Sequence, residues 1–348
     1  MVTVGVVLFL LLAFGLTTLQ ANDADLIKQL VIQWAPLVWI SPEEKYYPSS
    51  INHFLKNVQL VNENGKTIML PINGTDIPQY NTKSLQLVTT CDLDSLIKSG
   101  NSFLNGHIPK MYSVPTYAII SPCSPNSSFR ANILYKKTNP NLYFSVSYWT
   151  FYPFNKGKDI CFLGKVPVVP IFGRCFGHRT TIGSHVGDWE HMTLFFNGNP
   201  FPSEMYIAIH NTGGYYTLAP HQQHFKLDVY RKVLKPKLPP IVRIQGGHPV
   251  LFSATGSHGL WPAPGEHTYS QILQLKDKCG YGTPWKTWKN LEIYTVGDFN
   301  LPNWLSFKGR WGNPKSKCFL FKKFGLCEYT DAPEGILWHQ QDFSCIYK

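Results

Sequence analysis

His185-Val186-Gly187-Asp188-Trp189-Glu190-His191 runs directly into Met192-Thr193-Leu194-Phe195-Phe196. The second half is an apolar β run, and the first half puts two carboxylates at its mouth. Side chains alternate across a strand, so Asp188, Glu190 and Met192 share one face while Trp189 and His191 take the other. Gly187 lets the chain bend before the strand, so His185 can swing to the carboxylate side. Paired acids inside so apolar a strand need a partner.

Working outward, the same β character recurs. Leu142 to Trp149 alternates and is rich in aromatics, and Met205 to Ile209 and Val250 to Ala254 are further short apolar runs. Turn signals separate them, among them Asn197-Gly198-Asn199-Pro200, Thr212-Gly213-Gly214 and Gly246-Gly247. The expectation is a mainly β fold, a β-sandwich of short antiparallel strands with a few short helices and long loops. Helical spacing is confined to Asp25–Trp34, stopped by Pro36, to a turn or two over Ser49–Leu55, and to Asp92–Leu104. Leu37-Val38-Trp39-Ile40 reads as a short strand. No repeat or linker divides residues 22–348, which are expected to form one elaborated domain with its motif core at about residues 142–267.

The chain has 348 residues, 44% hydrophobic and 14% aromatic, which excludes disorder. Charged residues are only 15%, against about 25% in ordinary soluble domains, which excludes a coiled coil. The net charge of +11 points to anionic partners. Two stretches concentrate it: Lys226 to Arg243, and Lys308 to Lys323 with Trp311, Phe319 and Phe321 interleaved. No basic helix, zinc finger or RNA-binding aromatic motif accompanies the charge, so nucleic acid is not the expected partner.

Residues 1–21 are uncharged, with an apolar run from Val4 to Leu16 that ends at Leu19-Gln20-Ala21. This reads as a signal peptide, and the mature chain is expected to be secreted or in the secretory or vacuolar lumen. All eight cysteines follow it and none forms a CxxC, so disulfides are the default. Cys161–Cys175 and Cys318–Cys327 can each close a short local loop, and Cys91–Cys123 with Cys279–Cys345 would then remain, a guess among 105 possible pairings. Asn73-Gly74-Thr75 and Asn126-Ser127-Ser128 are glycosylation sequons.

Nine of the twelve histidines lie within residues 178–267. His185, Asp188 and Glu190 can converge on one point. Two hard oxygens and an imidazole suit Mg²⁺ or Ca²⁺ first, with Mn²⁺ and Zn²⁺ less favoured. His210 follows the strand Met205–Ile209, and His258 follows Val250–Ala254. At strand ends both are candidates for a general acid or base.

At these residues the chain resembles the family named for vacuolar protein sorting-associated protein 62 and its plant relatives. The similar stretches are Trp34-Ala35-Pro36-Leu37-Val38-Trp39 with Pro42 to Ser50, Gly187 to His191, Pro249 to His258 with Trp261 to Gly265, and Gly309-Arg310-Trp311-Gly312 with Ala332 to Gly335. That resemblance implies a trafficking link without an established activity. Ser184 to Glu190 is also similar to the Gly-His-Arg-His-Asp-Trp-Glu heptapeptide of secreted necrosis-inducing cytolysins, and Ser147 to Pro153 to the aromatic strand before it. This second resemblance implies a β-sandwich, a cation held by His185, Asp188 and Glu190, and recognition of membrane sphingolipid head groups. Asp159 is the nearest match to a further acidic ligand in those proteins. The heptapeptide's second His is Gly187 here.

The expected function is therefore a secreted, divalent-cation-dependent binder of membrane lipid or glycan head groups, acting at an anionic membrane surface, with cytolysis implied by the second resemblance. The alternatives are a metal-dependent hydrolase of phosphoester or glycosidic substrates, with His210 or His258 moving protons, and a non-catalytic trafficking or structural protein.

Overall fold

In a computed structural model the described residues are 23–336, apart from 71–75, 79–81, 124–138, 165, 169, 173, 211, 220, 222, 229–236, 271–274 and 319–326. The leader, both sequons, Cys345, Phe319 and Phe321 lie outside them. Residues 23–33 form the expected first helix, and Trp34 just beyond it donates its indole N–H to the Pro200 carbonyl at 3.2 Å. Ser50 caps the short helix Ile51–Leu55, and Asp92 caps Leu93–Lys98.

Strand is the predominant regular element. In chain order the large sheet comprises β1 (Leu37–Ile40), β2 (Thr116–Pro122), β3 (Tyr143–Asn155), β4 (His185–Asn197), β5 (Glu204–Ile209), β6 (Thr212–Ala219), β7 (His224–Leu227), β8 (Ile241–Gln245), β9 (His248–Ser253), β10 (Leu260–Trp261), β11 (Thr283–Lys286) and β12 (Leu291–Thr295). Across the sheet they run β11-β1-β9-β8-β7-β6-β5-β4-β3-β2-β12, with β10 paired to β9. Four strands separate β9 from β4, yet Leu251 of β9 and Val38 of β1 share one buried cluster with Val146 of β3 and Leu194 of β4. The sheet therefore curls so that its two ends enclose a common core.

The mainly β expectation holds, with two corrections. The central strands are not short: β3 and β4 have 13 residues each and pair along nearly their whole length. They can be long because both of their faces are covered. Even-numbered residues such as Val146, Tyr148, Met192 and Leu194 face the curled interior. Trp149, Phe151 and Trp189 face a second cluster built with Phe54, Trp304, Phe307 and Trp311. Nor are all pairings antiparallel, since β1 joins β9 and β12 joins β2 in parallel, through long excursions of the chain.

Gly187 sets the facing of β4. Val186 and Trp189 both lie in the second cluster, although strict alternation would separate residues three apart. The backbone reverses that pattern at Gly187, whose φ is +68°. A Cβ there would stand 2.0 Å from the Trp311 carbonyl oxygen. The carboxy-terminal segment thus occupies the place where a side chain at 187 would sit, so this position admits only glycine.

Cys161–Cys175 and Cys318–Cys327 are disulfides, as expected. The other two guessed pairs do not form. Cys91 is a free, exposed thiol, and Cys123 is bonded elsewhere. Cys279 is a free thiol inside the main core, its Sγ 3.7 Å from the Phe252 carbonyl, where the inward face of its strand carries it away from solvent.

Gly183 also has positive φ (+85°), but a Cβ there meets nothing within 4 Å. Gly183→Ala is therefore expected to cost only the left-handed backbone penalty, about 1–2 kcal/mol. Gly187→Ala adds the clash with Trp311 and should cost about 4 kcal/mol or more, or prevent folding. Urea unfolding of the two variants checks the ranking. In the native protein a maleimide reagent should label Cys91 within minutes and Cys279 only after denaturation, because burial also pushes the Cys279 thiol pKa up.

Candidate functional site

Asp188 and Glu190 lie side by side on the inner face of β4, opposite Tyr152 and Thr150 of β3. Asp188 Oδ2 accepts from His258 Nδ1 at 2.8 Å and from Asn155 Nδ2 at 2.9 Å. The His258 ring is wholly buried and stacks on Tyr152, centroids 3.8 Å apart and planes within 4°. Its Nε2 faces Glu44 Oε2 at 3.8 Å, too far for a hydrogen bond. Glu44 is itself pinned: Oε2 accepts from the Gly256 N–H at 2.8 Å, and Oε1 from the Lys45 and Tyr46 N–H groups at 2.9 and 2.8 Å.

A second cell adjoins this one around Asp277, on the strand Leu275–Cys279. Asp277 is fully buried. Oδ1 accepts from Lys158 Nζ at 2.7 Å and Ser257 Oγ at 2.6 Å, and Oδ2 meets His210 Nε2 and Trp261 Nε1, each at 2.8 Å. Asn155 ties the cells together, since its Nδ2 also reaches the Ser257 carbonyl at 3.1 Å. His210 and His258 both hold left-handed backbones, at φ 51° and 60°. Strain of this kind persists only where surrounding structure over-determines it.

The four carboxylates are not equivalent. Burial would raise Asp188, but His258, His185 and Asn155 outweigh it and hold it below the usual range. Glu44 is likewise held down against burial by His258 and its backbone donors, and Asp277 against burial by His210 and Lys158. Burial alone would lower His258, but Asp188 and Glu44 push it up to about 9, so it is an imidazolium at neutral pH. Glu190 goes the other way. Burial raises it well above the usual range, and the charges of Asp188 and Asp277 raise it further. Its carboxyl has no hydrogen-bond partner among the described residues. A buried acid flanked by like charges lacks a counterion here.

The sequence-derived candidates divide accordingly. Asp188, Glu190 and His258 meet in one cell, and His210 joins the neighbouring one. His185 stands near enough to lower Asp188 by its charge, while its Nδ1 lies 2.8 Å from the Gly187 carbonyl. Asp159 points the opposite way from Lys158 along its strand. It accepts from Thr181 Oγ1 and pairs with Lys156 at 3.7 Å, on an exposed surface. Among the described residues no three His, Cys, Asp or Glu side chains stand preassembled as a metal-binding group. The basic carboxy-terminal stretch also differs from expectation. Trp311 is fully buried, Arg310 pairs with Glu334 at 3.8 Å, Lys315 with Asp331 at 3.6 Å, and Lys317 with Asp94. The fold uses these groups to fasten its own carboxy-terminal segment.

Glu44, Asn155, Lys158 and Asp277 were missed as site residues. Asp277 carried a readable signal: Leu275, Asp277 and Cys279 alternate with Lys276 and Lys278, which puts an acid on the apolar face of a strand. Glu44 lay within a quoted motif, but local spacing could not bring it to a histidine 214 positions away. Asn155 and Lys158 had no comparable mark.

The family model for vacuolar protein sorting-associated protein 62 matches residues 13–109 and 127–228, more than half of the chain. The chain belongs to that family. Vacuolar protein sorting-associated protein 62 of Saccharomyces cerevisiae is 26% identical over 347 aligned residues, a match that covers 91% of this chain and 66% of the yeast protein. The putative vacuolar protein sorting-associated protein TDA6 of the same yeast is 27% identical, with 91% and 67% covered. The chain thus spans about two thirds of the length of each. Among solved structures, NLPPya in complex with glucosamine is similar at a TM-score of 0.33 and 10% identity, covering 94% of this chain and 93% of that one. Necrosis and Ethylene inducing Protein 2, from the causal agent of cocoa's Witches Broom disease, gives 0.30 and 13%, with 82% and 83% covered. At such scores the likeness carries no weight for the ligand of this family member.

The charge pattern fixes a pH dependence for the cation-free protein. The raised pKa of His258 contributes stability that is full below about pH 6.5 and lost as pH rises through about 9. Glu190, raised too, adds a loss of the same sign from about pH 4.5 upward. The depressed Asp188, Glu44 and Asp277 contribute stability that is lost as pH falls below about 4. Stability measured by urea unfolding in EDTA should therefore peak on the acid side of neutrality and drop by about 2–3 kcal/mol between pH ~6.5 and ~9. His258→Gln should remove the histidine's share of that upper slope, whatever it does to the absolute midpoint.

Proposed function

We infer that this protein holds a divalent cation at Glu190 and Asp188, with His185 as a third donor. Through that cation it binds hydroxyl or phosphate oxygens of a glycan or lipid head group. The observation that carries this reading is the Glu190 carboxyl: buried, without a hydrogen bond, and repelled by two neighbouring acids. A hard dication such as Ca²⁺ or Mg²⁺ supplies the missing countercharge, because oxygen donors select hard ions. The residues fit such an ion in charge and donor type. Asp188 keeps Oδ1 free, while Oδ2 is occupied by His258 and Asn155.

The chain's own residues then have distinct tasks. His258 compensates Glu44 and Asp188 from behind and fixes the Asp188 carboxylate in one orientation. The fully partnered Asp277 cell is structural, tying its hairpin to β10 through Trp261 and to Lys158 at the rim. Asp159 stays outside the cation site. The disulfides Cys161–Cys175 and Cys318–Cys327 fit an oxidising compartment, and the sorting names of the yeast relatives fit the lumen of the secretory or vacuolar system. Among the described residues no helix is long and apolar enough to cross a membrane.

Glu190→Gln separates this reading from a purely structural network. In EDTA the variant should be as stable as the wild type or more so, because the amide removes the repulsion. Saturating Ca²⁺ or Mg²⁺, at about a hundredfold the dissociation constant, should stabilise the wild type by about 2.7 kcal/mol and leave Glu190→Gln unmoved. A wild type indifferent to every divalent ion, beside a destabilised Glu190→Gln, would sink the proposal. Thermal unfolding reads both.

A further inference from the structure

Lys158–Leu163, Val166–Val168 and His178–Ile182 form a separate three-stranded finger, closed by the Cys161–Cys175 disulfide. Its interior is minimal: Ile160, Phe162 and Ile182, with Leu275 packed against them. Its exterior is apolar. Leu163, Val166, Ile171, Phe172 and Phe176 are all more than half exposed, Phe176 at 71% and Phe172 at 99%. A tight turn places Phe172 at the tip, where the Ile171 and Arg174 backbones exchange hydrogen bonds of 3.1 and 2.9 Å. Phe172 holds φ 48° there, an unfavourable backbone for an aromatic residue, and the turn nevertheless displays the ring to solvent. Arg174 closes that turn and Arg179 lies on the last strand, while positions 160–187 contain no Asp or Glu, the nearest acid being Asp159 at the finger's root.

The geometry points to this finger as a membrane anchor that inserts Phe172 and Phe176 among the head groups of an anionic bilayer. Five apolar side chains on a tip carrying cations match the chemistry of a lipid interface, apolar below and negatively charged above. Phe172 is 99% exposed and packs on nothing in the chain, so its ring is available to an apolar phase. The root of the finger is Lys158, whose Nζ bonds Asp277 and Ser257 in the acid cluster. Docking the finger therefore holds the acid cluster over the same bilayer, at the finger's root. The inference rests on the proposed function only for where the ligand is displayed, and it needs no cation.

Sedimentation with phosphatidylcholine vesicles, with and without phosphatidylserine, tests it on the oxidised full chain. The wild type should bind the phosphatidylserine vesicles. Phe172→Asn combined with Phe176→Ser should weaken binding about a hundredfold, since each buried ring is worth a tenfold step or more. Asn tolerates the left-handed backbone, and both positions are exposed, so the unfolding midpoint should stay unchanged. Arg174→Glu should cost about tenfold or more, and added salt should weaken the wild type. Binding that persists in EDTA and in Glu190→Gln supports the finger by itself, whatever becomes of the cation site. A wild type that ignores phosphatidylserine vesicles, or a double variant that binds them undiminished, overturns the inference. So does a dimer of the wild type that the double variant dissolves, because the patch would then be a contact between copies of this chain.

Discussion

The Trp311 carbonyl lies where a side chain on residue 187 would stand, and the site depends on that contact. Because Gly187 turns through a positive φ, Val186 and Trp189 both bury in the outer aromatic cluster. Asp188 and Glu190 are left on the inner face, beneath β9 and its following loop. A strand that kept strict alternation from Val186 onward would put the acids among Trp304, Phe307 and Trp311, where burial would neutralise them. One glycine thus decides whether two carboxylates meet a histidine or an aromatic wall.

The second constraint is charge. Four acids share a space with one wholly buried imidazolium and one lysine. Removing charges from water is costly unless each finds a partner, and three of the four do. Glu44 uses backbone N–H groups, Asp188 uses His258 and Asn155, and Asp277 uses Lys158, His210, Ser257 and Trp261. The network leaves Glu190 without a countercharge and the buried His258 Nε2 without a hydrogen bond. An amide at 190 would relieve the repulsion from Asp188 and Asp277.

The central strands were legible because their period and aromatic content are local properties. Leu142–Trp149 and Met192–Phe196 could be read as strands from a dozen letters, and Asp188 and Glu190 as neighbours from alternation alone. Their extra length was not legible, since it comes from a second face covered by residues near 54 and 311. The parallel joins of β1 to β9 and of β2 to β12 escaped notice for the same reason. Half of the site was visible as His185, Asp188, Glu190, His210 and His258. The rest comes from Glu44, Asn155, Lys158 and Asp277, whose roles exist only after distant segments close. The cysteines followed the same division: the two short loops were readable, while Cys279 proved to be a buried core residue.

That dispersal has a consequence for biosynthesis. A chain made from its amino terminus produces Glu44 first, then Asp188 and Glu190, then His258 and Asp277, and only afterwards the Trp311 segment that seats Gly187. No fragment ending before that point contains a complete site. The acid cluster is therefore assembled late, once the Trp311 segment packs against Gly187.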